Sequence, residues 1–118
     1  MNLPDISSRN DIDIIIREFY GKIQQDPVIG EKFDNLDFEH HIPLIVEFWN
    51  SIIFGSNSYQ GDPFSKHIPL ELSALDFTRW LAIFSETIDQ HYLGQLAEEM
   101  KNRAASIAKI FMFKLGLK

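Results

Sequence analysis

Two prolines six residues apart set the tightest limit on what this chain can fold into. Asp62-Pro63 reads as a helix start, with an aspartate to cap and a proline whose missing N–H costs nothing in the first turn. Pro69 then disfavours helix for the residue before it, so the helix between the two prolines has at most about two turns. Isolated helices that short are unfavourable in water. Such a piece persists only by packing on something beneath it, and it carries His67, beside Lys66, just after the loop-forming stretch GSNSYQGD at 55–62.

The other segments read as longer helices. Ser8-Arg9-Asn10-Asp11 is a loose capping box, followed by Ile12, Ile15, Ile16, Phe19 and Ile23 at the spacing of one helical face. Asp26-Pro27 stops that helix and starts a short turn of helix leading to Phe33, and Asp34-Asn35-Leu36-Asp37 reads as a turn. The next helix is predicted over about 41–54, with Pro43 in its first turn and His41 at its entrance. A long helix follows over about 75–92, with Phe77, Trp80, Leu81, Phe84 and Ile88 on one face and Gly94 near its end. The last, from Gln95 to about Leu115, is expected to bury Leu96, Met100, Ala104, Ile107, Ala108, Phe111 and Leu115. Val and Thr occur only twice each and no stretch alternates apolar with polar residues, so strands are not expected and the class is all-α.

With 118 residues the chain reads as a single domain over 1–118. No apolar run is long enough to span a bilayer and the first residues do not read as a secretion signal, which suggests a cytoplasmic protein. The absence of Cys removes disulfides, thiolate catalysis and Cys-based metal sites, leaving His and carboxylates for any metal chemistry. Seventeen acids against eleven bases give a net charge of −6, and the cations are read as not strongly clustered. Neither nucleic acid nor an anionic membrane is therefore expected as a partner. The phosphate-loop, dinucleotide and nucleophile-elbow fingerprints are missing.

His67 has two readings on spacing alone. It is a surface or half-buried histidine making one hydrogen bond, or it is an axial ligand, since haem iron needs one neutral imidazole on one face and a short helix is a suitable mount. His40 and His41, adjacent in a helix, do not share a face, so one is expected to point inward and the other out. His91 sits near a helix end, where a cation is favoured by the helix dipole, and no function is assigned to it. Tyr20 and Trp80 lie on apolar faces. Core packing accounts for them, yet a buried phenol or indole also needs a partner for its O–H or N–H.

Six elements in order, Phe19-Tyr20, D-P-x-x-G-x-x-F at 26–33, H-x-P-x-x-x-x-F-W at 41–49, Y-x-G-x-P-x-x-x-H at 59–67, F-x-R-W-L at 77–81 and A-x-x-I-A-x-x-F at 104–111, resemble the third group of bacterial truncated haemoglobins over nearly the whole chain. The sequence has no Gly-Gly pair, which fits that group better than the other truncated groups. The resemblance implies a two-over-two helical sandwich around haem b, with His67 as the proximal ligand to iron. It implies Tyr20, His41 and Trp80 on the distal side, and Phe33, Ile45 and Trp49 against the macrocycle. Lys66 and Arg79 are the nearest cations by sequence for the two propionates. The expected ligands are O2, CO and NO at a five-coordinate iron. NO dioxygenase-like or peroxidase-like chemistry is a further expectation and would need a reductase. The competing expectation is a haem-free helical interaction module whose acidic surface meets a basic partner.

Overall fold

The computed structural model describes residues 3–33, 38–55, 73–114 and 116. It consists of four helices, α1 (Arg9–Gln25), α2 (Phe38–Phe54), α3 (Ala74–His91) and α4 (Gln95–Lys114), with one turn of 3-10 helix at Gly30–Phe33. No strand occurs among the described residues, as the apolar spacing predicts. The expected turn at 34–37, the loop after Gly55, the miniature helix at 63–69 with Lys66 and His67, and Leu115 lie outside the described residues.

Local chemistry sets each helix end. The Asp11 carboxylate accepts hydrogen bonds from the backbone N–H groups of Ser7 (2.8 Å) and Ser8 (3.2 Å), so the capping box forms and α1 begins where the sequence predicts. Asp26 ends α1 and opens the turn that follows. Its Oδ2 accepts from the amides of Val28 (2.9 Å) and Ile29 (3.1 Å), and its backbone carbonyl accepts from Gly30 (2.9 Å). A side chain at Gly30 would meet the Gln24 carbonyl oxygen at 2.8 Å, so glycine is required there by proximity.

α2 differs from expectation at its start. It begins at Phe38, a turn earlier than predicted, and Pro43 lies inside it. The proline cannot donate to the carbonyl one turn back, but Glu39, Pro43 and Leu44 are all exposed, so that oxygen belongs to the solvent side of the helix, where leaving it without a backbone donor costs little. His41 is consequently the fourth residue of the helix rather than its entrance. α3 begins with a second capping box, in which the Ser73 N–H donates to Asp76 (2.9 Å) and the Asp76 N–H to the Ser73 hydroxyl (3.2 Å).

α4 is capped from the far end of the chain. The Asp5 carboxylate accepts from the amides of Leu96 (3.0 Å) and Ala97 (2.9 Å), while the Leu93 N–H donates to the Pro4 carbonyl (2.9 Å). Gly94 has φ +152°, and a Cβ there would come within 2.4 Å of Asp5, so only glycine lets the carboxylate reach.

α1 packs on α2 and α3 packs on α4, and the pairs meet through α1 with α3 and α2 with α4. This is the two-over-two arrangement. Ile12, Ile15, Ile16, Phe19 and Ile23 of α1 are all buried in it, as their spacing predicts. On α4 the buried residues include Ala97, Met100, Ala104, Ala108 and Phe111, whereas Leu96 and Ile107 are only partly covered.

Candidate functional site

The four helices leave an apolar pocket among Tyr20 of α1, Ile45, Phe48 and Trp49 of α2, Trp80 of α3, and Ile107 and Phe111 of α4. Ile45 is one turn beyond His41 and Trp49 one turn beyond Ile45, so the period of α2 delivers all three to the same side. The wall behind the pocket is aromatic. Phe84 stacks between Trp49 (ring centroids 5.2 Å, planes 26° apart) and Trp80 (5.4 Å, 7°), and Phe19 meets Trp80 and Phe84 edge-on. Trp80 is thus stacked on Phe84 and met at a right angle by Phe19, and these two contacts orient its indole N–H.

Two polar features interrupt this apolar surround. The first joins α1 to α2: the Tyr20 hydroxyl and His41 Nε2 are 2.9 Å apart, and both residues are buried. The rings meet edge to face at 5.1 Å. Burial pushes the Tyr20 phenol far above its usual pKa, so it stays protonated over the whole working range. Which group donates depends on the histidine tautomer. With the proton on Nε2, His41 donates to the phenol oxygen and the phenol keeps its own proton to donate.

The second feature is the Trp80 indole. Its Nε1 is buried and has no hydrogen-bond partner among the described residues. Leaving a buried donor unsatisfied costs roughly 1–3 kcal/mol, and this one belongs to a side chain that lines the pocket. An acceptor bound in the pocket would recover that cost.

The expected site residues fall into three sets. Tyr20, Ile45, Trp49 and Trp80 line the pocket, and His41 joins them through Tyr20. Of the adjacent histidines, His41 is the inward one and His40 is exposed. Phe33 closes the 3-10 turn, its side chain outside the described residues, as are Lys66 and His67. Arg79 is not brought to the pocket. Its Nε and Nη2 both donate to Asp26 Oδ1 at 2.7 Å, bridging α3 to the end of α1. That hydrogen bond and the cation's charge hold the Asp26 carboxyl below the usual carboxylate range. The neighbour of Trp80 in sequence thus points elsewhere, as the roughly 100° between successive helical residues requires. His91 pairs with Glu18 at 2.6 Å on the surface, away from the pocket lining.

Sequence reasoning missed Phe48, Ile107 and Phe111 as pocket residues. The last two stand four apart on the apolar stripe of α4 and were expected as core; nothing in the stripe marks where two helices part to leave a space. The Asp26–Arg79 bridge spans 53 residues and has no local signature at all.

Residues 5–113 match the family model described as bacterial-like globin. The chain is 29% identical over 108 residues to the group 3 truncated hemoglobin of Campylobacter jejuni, covering 83% of this chain and 85% of the relative. The crystal structure of a group III truncated hemoglobin from Campylobacter jejuni superposes with a TM-score of 0.86 at 26% identity, covering 97% of this chain and 95% of that one.

Proposed function

The chain belongs to the bacterial-like globin family, and from that premise we propose that it holds haem b through His67 and uses Tyr20, His41 and Trp80 to retain polar diatomic ligands. Haem binding and the binding of diatomic gases such as dioxygen come with the family. The side chains present suit the group in kind: apolar and aromatic residues from all four helices suit a flat hydrophobe beside them, the cavity they enclose, about 20 Å³, has the size of a diatomic ligand, and the Trp80 N–H is a donor with no acceptor among the described residues. Haem, when bound, supplies an iron at which such gases are held.

The observation that carries the reading is the buried, unpartnered Nε1 of Trp80, a side chain that lines the pocket together with Tyr20, which is bonded in turn to His41. A polar ligand that draws negative charge towards itself gains from donors already fixed in a dry site. A charge-assisted hydrogen bond of that kind contributes roughly 1.5–3 kcal/mol, or about ten- to a hundredfold in the rate of ligand loss. Trp80 is held by its stack, and Tyr20 is oriented by His41. His41 on this reading is a positioning residue: it selects the phenol's proton direction and closes the space between α1 and α2. His67 would hold the iron through a neutral imidazole, the role that the sequence between Pro63 and Pro69 suits. Slow loss of the ligand serves capture better than delivery. The use we favour is oxygen-dependent oxidation of nitric oxide to nitrate, or reduction of peroxide, with electrons supplied by a reductase. The haem-free module is disfavoured, because it gives the buried indole N–H no acceptor.

Absorption spectra of the purified protein, oxidised, reduced and reduced with CO, test the reading. One haem per chain and a five-coordinate ferrous spectrum that shifts with CO are expected. His67→Ala should lose stoichiometric haem or keep it only with added imidazole. A chain that takes up no haem, or a His67→Ala protein with the native spectrum, overturns the assignment.

A further inference from the structure

The net charge of −6 hides a division along the chain. Residues 1–99 hold all seventeen acids and six of the bases, whereas residues 100–118 hold five bases and no acid. The same segment carries the most exposed large apolar side chain among the described residues, Phe113 at 85%, with Ile110 at 51%. Ile110 and Phe113 are three apart and share the outer face of α4. At about 100° per residue, Lys109 falls on one margin of that face and Lys114 on the other. Both lysines are exposed. The opposite face of the helix, Ala104, Ala108 and Phe111, is in the core. Phe111 meets Phe77 of α3 at a centroid distance of 6.2 Å, which brings the start of α3 to the same end of the molecule, where Leu75 is 65% exposed.

We propose that this end of the molecule docks on an anionic lipid surface, Ile110 and Phe113 entering the boundary between headgroups and acyl chains while Lys109 and Lys114 meet the phosphates. An apolar stripe with basic margins on a helix whose other face is already buried is the pattern of an interfacial helix lying in the membrane plane. Lysine stems lie along apolar surface while their ammonium groups reach outward, so both demands are met at once. Ile110 and Phe113 stand on the exposed face of a single helix, which suits a laterally uniform surface better than a partner protein that needs a shaped recess. Spanning is not required, and no helix among the described residues is long and apolar enough for it.

This revises the expectation that the protein avoids anionic lipid. That expectation used the total charge, but screening limits each charge to about 8–10 Å at ordinary salt. The nearest acids on α4, Glu98 and Glu99, are about 20 Å back along the helix, and there they pair with Lys101 and Arg103.

Co-sedimentation of the haem-loaded chain with vesicles of phosphatidylcholine, alone or mixed with phosphatidylglycerol, tests the proposal. Binding is expected only to the mixed vesicles, falling as salt rises. Lys109→Glu with Lys114→Glu, and separately Ile110→Ser with Phe113→Ser, should each weaken it by about tenfold or more. All four positions are exposed, so the variants should keep the native haem spectrum, which is recorded alongside. No binding to the mixed vesicles at low salt overturns the proposal, and so does binding that survives both double substitutions. Sedimentation velocity without lipid provides the competing outcome: a concentration-dependent dimer abolished by Ile110→Ser with Phe113→Ser, without vesicle binding, would assign the face to a second copy instead.

Discussion

Tyr20 and Trp80 show how little separates a core residue from a binding residue. Each lies on an apolar helical face and packs edge-on or stacked against other rings. What distinguishes them is one polar atom apiece, the Tyr20 hydroxyl against His41 and the Trp80 Nε1 with no partner among the described residues. Tyr20→Phe and Trp80→Phe remove those donors while keeping an aromatic ring in place. Stopped-flow dissociation should therefore show dioxygen lost about tenfold faster or more from at least one variant, with CO, a poor hydrogen-bond acceptor, changing much less. The two donors would share one acceptor, so the double variant need not show the product of the single effects. Equal, small changes for both gases would make these residues core and nothing more. At this scale the sequence was informative about which side chains face inward, because the 3.6-residue period decides that. It was silent on which inward atom lacks a partner, since Tyr20 finds His41 on a different helix.

At the scale of elements, the helix termini carry more of the specification than the helix interiors. Local capping boxes start α1 and α3, but α4 depends on Asp5, which reaches it only because Gly94 has no side chain. Asp5→Ala should cost about 1–2 kcal/mol, the usual price of a lost cap. Gly94→Ala should cost about 2 kcal/mol or more, combining a disfavoured φ with a clash against the same carboxylate. Urea denaturation of the two variants measures both. The double variant should fall short of the sum, since both changes break one contact. The start of α2 makes the complementary point. Pro43 was expected to lie in the first turn because an interior proline forfeits a hydrogen bond, yet the helix begins earlier and the proline sits on the exposed side. A rule about local cost gave way to solvent access, which is a property of the tertiary arrangement.

Over the whole molecule, three carboxylates link its stability to pH. Burial opposes the charge of Asp5 and of Asp11, but hydrogen bonds outweigh it, from the Leu96 and Ala97 amides at Asp5 and from Ser7 and Tyr92 at Asp11. At Asp26 the Arg79 hydrogen bond dominates. All three folded pKa values lie below the unfolded value near 3.8. Their contribution is therefore complete above that value and is lost as pH falls through the lower folded values. Urea midpoints from neutral pH down to about pH 3 should show the decline, and Asp26→Asn should flatten it. Haem removal is a second global test. A group bound only by the folded chain adds stability by mass action, so the apoprotein should melt on the order of 10 °C lower. The sequence by itself determined the class, the helices, the inward faces and the family, because periodicity, caps and ordered short motifs are local and survive without a partner. The tertiary structure alone decided that Arg79 turns to Asp26 and not to the pocket, that Tyr20 meets His41, and that Trp80 keeps an unanswered donor. Each of these depends on where two separate helices come together, and no spacing within one helix records that distance.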